Sequence, residues 1–187
     1  MNSTIQKVLK VYGLDTDEAK SQPFGTGNIN STYLISVNGQ DKHFILQSIN
    51  QQVFRNPLII AENVRLVASY LRKHYPGYLF VGSIPTTDGD EMAFVDKTYW
   101  RLTNFIPNSI AYDALSDPKQ ALEAAVQFGR LSKLLDGFDA SLLKPSIPGF
   151  HDLNLRYEQF KEALENTNSE LKSSASEQIE KALRHSF

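Results

Sequence analysis

The 187-residue chain has 41% hydrophobic and 21% charged residues, the balance of a soluble globular protein long enough to bury a core. A formal net charge of -2 gives no field to draw nucleic acid or an anionic membrane, so neither is expected as a partner. Cysteine is absent, which excludes disulfides, thiolate metal sites and cysteine nucleophiles, and no apolar run approaches a membrane span, so a cytoplasmic protein is expected.

Residues 4–12 read as a short amphipathic helix, with Ile5, Val8, Leu9 and Tyr12 at helical spacing and Gly13 as its stop. A polar stretch over 15–22 leads into Phe24-Gly25-Thr26-Gly27-Asn28-Ile29-Asn30. Glycines this close give the backbone positive φ and no Cβ, so it can pass close over a ligand. Successive N–H groups in such a turn make a concave surface that suits phosphate. The same pair also serves an ordinary hairpin, and taken alone it leaves both readings open. Tyr33, Ile35 and Val37 then alternate with Leu34 and Ser36 as a strand. Asn38-Gly39 predicts a tight hairpin turn, and residues 43–47 return as the next strand.

Asn56-Pro57 opens a helix as N-cap and first helical residue. Ile60, Ala61, Val64, Val67, Ala68 and Leu71 share one arc of it, with Glu62, Arg65, Ser69 and Arg72 on the other side. Tyr75-Pro76-Gly77 ends it. Strands are expected at 78–81, 91–95 and 99–102, with Thr86-Thr87-Asp88-Gly89-Asp90 as the turn between the first two. After the connector Asn104-Phe105-Ile106-Pro107-Asn108 only helices follow. One starts at Asp117-Pro118 with capping-box spacing to Gln120 and runs to about Leu135, with Gly137 as its C′ residue. Others are expected at 153–166 and 169–184. The expected class is α+β, with a five-stranded antiparallel sheet and one inserted helix.

A glycine loop between the first two strands, a helix after the third, two more strands, a connector and then helices is the order of a protein-kinase-like N-lobe. Gly25-Thr26-Gly27-Asn28-Ile29-Asn30-Ser31-Thr32-Tyr33, Phe44-Ile45-Leu46-Gln47-Ser48-Ile49-Asn50, Val53-Phe54-Arg55-Asn56-Pro57 and Glu62-Asn63-Val64 resemble the aminoglycoside phosphotransferase and choline kinase superfamily. Within it they are most similar to the branch with N-acetylhexosamine 1-kinases, and Phe105-Ile106-Pro107-Asn108-Ser109 and Ile147-Pro148-Gly149-Phe150-His151 continue the likeness. The resemblance implies an N-lobe over 1–103, a hinge over 104–110 and the start of a helical C-lobe over 111–187. It also implies ATP-dependent phosphoryl transfer to a small-molecule hydroxyl, as of an N-acetylhexosamine. Gly25, Thr26, Gly27 and Asn28 would cover the nucleotide phosphates, with Asn30 as a nearby anchor. Asn104, Phe105 and Ile106 would meet the adenine edge.

Two departures stand out. Kinases of this fold carry a third-strand lysine paired with a helix glutamate. The matching position is Gln47, a neutral amide, and Glu62 is the helix candidate, which could equally be a solvated partner of Arg65. No His-x-Asp segment with a following asparagine and a magnesium-binding aspartate occurs in order. In His151-Asp152-Leu153-Asn154 the spacing is wrong, and Asp152 or Asn154 reads better as an N-cap. His43, His74 and His185 lack triad or metal spacing. The chain is therefore expected to stop before the family's catalytic segment, with no catalytic or metal residue of its own and the Mg ligands elsewhere. Apolar side chains such as Phe128 and Leu131 would then be left uncovered and drive self-association. A non-catalytic nucleotide-binding or regulatory module is the alternative, as is a kinase acting on choline, homoserine or an aminoglycoside.

Overall fold

The computed structural model describes residues 2–37 and 42–185. Helix α1 (Ser3–Val11) is capped by Asn2, whose side chain accepts from the Thr4 N–H at 2.8 Å. It is followed by β1 (Ala19–Pro23), β2 (Ser31–Val37), β3 (Lys42–Ser48), α2 (Pro57–His74), β4 (Ser83–Ile84), β5 (Ala93–Val95) and β6 (Thr98–Asn104). These strands form one antiparallel sheet in the order β1-β2-β3-β6-β4, with β5 also on β6. The α+β class holds.

The sheet has six strands rather than five. The added one is β1, inside the stretch read as polar linker. It pairs with β2 from Ala19↔Val37 to Pro23↔Tyr33, and only Ala19 is buried. Backbone pairing alone makes it a strand, and as an edge it tolerates Pro23. The strand expected at 78–81 does not form there; the pairing falls to Ser83 and Ile84, opposite Thr103 and Leu102. Leu79 and Val81 stay exposed. Between β5 and β6, Asp96 and Lys97 both take positive φ, 49° and 64°. The strain is offset by partners: the Asp96 carboxylate accepts from Thr4 Oγ1 at 2.7 Å and Lys7 Nζ at 3.0 Å. Asn38-Gly39 lies outside the described residues.

One face of the sheet is the core. Ile35, Val37, Phe44, Leu46, Trp100 and Leu102 alternate out of β2, β3 and β6 and pack under Ile5, Val8, Leu9 and Tyr12 of α1 and its cap. Tyr12 is held at both ends of its polarity: its hydroxyl donates to the Trp100 carbonyl at 2.7 Å and accepts from the Ala93 N–H at 3.2 Å. Burial raises its pKa above the ordinary tyrosine value.

The chain forms two compact units, Met1–Ser146 and Ile147–Phe187. The first also contains the connector and α3 (Pro118–Leu134), capped by Asp117 through the Lys119 N–H at 2.9 Å. Every residue from Ala121 to Arg130, including the expected apolar half, is exposed. Gly137 is not a left-handed C′ residue. A Cβ there would meet Tyr70 Oη at 2.8 Å, so glycine admits the Tyr70 ring. The second unit holds α4 (Leu153–Asn166), α5 (Ser169–Ser174) and α6 (Ser176–Arg184). Asp152 caps α4 by accepting from the Leu155 N–H at 3.0 Å. The single helix expected over 169–184 is broken at Ala175, next to Ser174, whose hydroxyl bonds back to the Leu171 carbonyl.

Candidate functional site

The strands that bury Ile35, Leu46 and Leu102 send their other side chains to the opposite face. Register aligns them in rows. Leu34 faces Ile45, which faces Thr103; one step along, Thr32 faces Gln47, which faces Arg101. All six are half-buried. The first row is apolar in Leu34 and Ile45 and ends at Thr103 beside the connector, while the second is polar and starts where the glycine loop ends.

The polar row is hydrogen-bonded through. Arg101 Nη2 donates to Gln47 Oε1 at 2.6 Å, and Gln47 Nε2 donates to Thr32 Oγ1 at 3.1 Å. The amide of Gln47 thus uses both its ends on the row. Arg101 Nε is buried without a hydrogen-bond partner. Burial pulls the Arg101 pKa down from its ordinary value, opposed by the Tyr12 phenol, yet a guanidinium stays charged at neutral pH. Among the described residues the ion pairs join Lys7 to Asp96, Lys144 to Glu62 and Lys161 to Glu158, so no carboxylate neutralises Arg101. Reading the sequence alone misses Arg101. It lies in a predicted strand, but only the β3–β6 register sets it opposite Gln47.

The glycine loop joins β1 to β2 and is closed by the Phe24 N–H on the Thr32 carbonyl at 2.9 Å. Gly25 takes φ +78°, which glycine alone adopts without strain. Gly27 does not have positive φ, and a Cβ there would meet nothing within 4 Å. Of the pair, only Gly25 is demanded by backbone conformation; Gly27 leaves open space. Thr26 Oγ1 donates to Asp113 Oδ1 at 2.5 Å, and the Phe24 ring meets Phe105 edge-on at 5.9 Å. Asn30 Oδ1 accepts from the Asn50 N–H at 3.0 Å, tying the loop's end to the end of β3. Gly25, Gly27, Asn28, Asn30 and Thr32 line a shallow hollow of about 290 Å³.

At the connector, Asn104 is the last residue of β6 and is exposed. The Phe105 N–H already donates to the His43 carbonyl at 3.1 Å, and the Ile106 carbonyl accepts from Ser109 Oγ at 2.6 Å. Alternation of the ladder turns the Asn104 N–H and carbonyl away from β3.

Glu62 is not brought to Gln47 or Arg101. Its carboxylate pairs with Lys144 Nζ at 2.7 Å, and beside it Asn63 clamps the Lys144 backbone, Nδ2 to its carbonyl at 2.7 Å and Oδ1 from its N–H at 3.0 Å. The hydrogen bond from Lys144 is the chief cause of a Glu62 pKa below its ordinary value, with Arg65 a minor one. Glu62 therefore anchors a loop. The histidines have local roles: His43 Nδ1 lies 3.0 Å from Ser36 Oγ, His74 stacks on Tyr70 and His151 lies against Phe150. Among the described residues, no three His, Asp or Glu gather as metal ligands, and no helix is long and apolar enough to cross a membrane.

No protein-family model matches the chain. Among solved structures it is similar to the spectinomycin phosphotransferase APH(9)-Ia, crystallised in complex with ADP and spectinomycin, with a TM-score of 0.59 at 16% identity. The likeness is one of fold. The likeness covers 95% of this chain and 54% of that one, so the chain spans about half the length of that enzyme. The kinase-like element order expected from the motifs is thus the fold adopted.

Proposed function

We propose that this chain is the nucleotide-binding part of an ATP-dependent small-molecule phosphotransferase. One observation carries the reading: a glycine loop opens directly onto a polar row ending in a cation, beside an apolar row that reaches the connector. Leu34, Ile45 and Thr103 offer a platform for a base, with Asn104, Phe105 and Ile106 of the connector at its edge. Gly25, Thr26, Gly27 and Asn28 would lie over the phosphates, where the open space at Gly27 lets the backbone approach. Asn30 and Gln47 hold the loop end and the row in place. In this reading residues 1–103 are the N-lobe, 104–110 the hinge and 111–187 the start of the C-lobe of a cytoplasmic protein.

The solved neighbour, with ADP and spectinomycin bound, supports a nucleotide and a small hydroxyl-bearing acceptor as partners. An aminoglycoside-type acceptor rests on that neighbour, and an N-acetylhexosamine on the motif resemblance alone. Mg would neutralise phosphate charge, but the described residues gather no acidic set to hold it. A second reading is a nucleotide-binding module without catalysis, which shares the glycine loop and the polar row. Calorimetric titration with ADP and adenosine tests the shared claim, with ADP expected to bind more tightly. Absence of any binding would refute both. Incubation of this chain with ATP, Mg and a panel of aminoglycosides and N-acetylhexosamines is expected to give no phosphorylated product under either reading; the two part on the native gene, where an in-frame His-x-Asp segment supports the kinase and a stop codon after Phe187 the module. Exposed Leu122, Val126 and Phe128 on α3 favour self-association; a single monomeric species at high concentration in sedimentation would refute that part.

A further inference from the structure

We propose that Arg101 is the cation that holds the phosphates of a nucleoside di- or triphosphate in this protein, aimed by Gln47 and Thr32. The inference rests on the nucleotide-binding reading and names its charge. In the third-strand position where that fold expects lysine stands Gln47, which can donate a hydrogen bond but cannot neutralise a phosphate. Arg101 faces it directly across the β3–β6 pair, a cross-strand distance over which an arginine fork covers the same ground as a lysine from Gln47.

Arg101 is built as though a partner were owed to it. Its Nη2 is fixed on Gln47 Oε1, and Gln47 is fixed in turn on Thr32, so the guanidinium plane has one orientation. Its Nε is buried and unbonded, and among the described residues no carboxylate pairs with it. A half-buried cation with an orphaned donor is an unfavourable arrangement for stability alone, because buried polar groups are otherwise bonded. A phosphate at the guanidinium's remaining N–H groups would neutralise the charge. Thr32, the row's first residue, also lines the hollow formed by the glycine loop. Glu62, the residue that would orient a lysine, is engaged with Lys144 and is not needed here.

Calorimetry with ADP and adenosine on the wild-type chain, Arg101→Met, Arg101→Lys and the double variant Arg101→Met/Gln47→Lys tests this. Arg101→Met is expected to weaken ADP by about tenfold or more and leave adenosine within about twofold. Arg101→Lys should keep part of the ADP affinity, and the double variant should regain it by returning a cation to β3. ADP binding by Arg101→Met at the wild-type level, or equal losses for ADP and adenosine, would overturn the proposal while leaving the nucleotide site standing. A wild-type chain that binds neither ligand would overturn both. Should Arg101→Met fail to fold, arginine-directed labelling of the wild type decides: ADP, and not adenosine, should protect Arg101, and equal labelling with and without ADP would refute it.

Discussion

The two faces of one sheet are built on opposite rules. Under α1, Ile35, Leu46 and Leu102 are 0–1% exposed and carry no polar atoms in their side chains. On the other face, Thr32, Gln47 and Arg101 stay half-buried and hydrogen-bonded to each other, with one donor left over. The same strands supply both, because side chains alternate at every step. The first face gives stability by removing apolar surface from water, and the second leaves a guanidinium donor buried without a partner. A one-residue slip of β3 against β6 would exchange them.

Substitutions should separate the two. Leu46→Ala empties a filled site on the dry face and is expected to cost about 2–5 kcal/mol in urea unfolding, without changing the ADP affinity of the folded fraction. Gly25→Ala, at the rim of the open face, forces a Cβ into left-handed backbone and should cost about 1–2 kcal/mol. Gly27→Ala meets nothing and should leave the urea midpoint unchanged while weakening ADP; equal costs for both glycines would contradict the loop geometry. Gln47→Ala removes one acceptor from a part-buried guanidinium and should cost about 1 kcal/mol, so a loss as large as that of Leu46→Ala would mean the polar row is core.

The smallest effect concerns pH. Folding depresses the carboxyl pKa of Asp96, chiefly through Thr4 and then Lys7, and that of Glu62 through Lys144. Their stabilisation is present above the ordinary values of 3.8 and 4.5 and is lost as pH falls through the depressed ones. Both groups are exposed, so the contribution is small and screened by salt. Urea midpoints near neutral and acid pH should converge slightly in Lys7→Met and Lys144→Met, and a wild type whose pH dependence matches those variants would remove the ion pairs from the account.

Local signals in the chain were read where one residue's neighbours suffice. Ile5, Val8 and Leu9 at helical spacing made α1, Asp117 and Asp152 cap the helices they precede, and Tyr33, Ile35 and Val37 made β2. Features that depend on a distant partner were missed. Strand β1 has almost no apolar pattern and exists through its pairing with β2, while Gly137 answers to Tyr70 and Glu62 to Lys144. In the candidate site, Gly25 stands out by residue type, and Gln47 only through the family resemblance. How Phe105 and Asn30 use their polar groups followed only from His43 and Asn50.

The sequence by itself determined the periodicities, the caps, the glycine turn and the order of elements, because each depends on groups a few residues apart. Tertiary structure alone decided which strand lies beside which and in what register. That choice set Arg101 of β6 against Gln47 of β3, across 54 residues of chain. Nothing between them in sequence carries that alignment, since it is fixed by the burial of Leu46 and Leu102 on the other side of the same two strands.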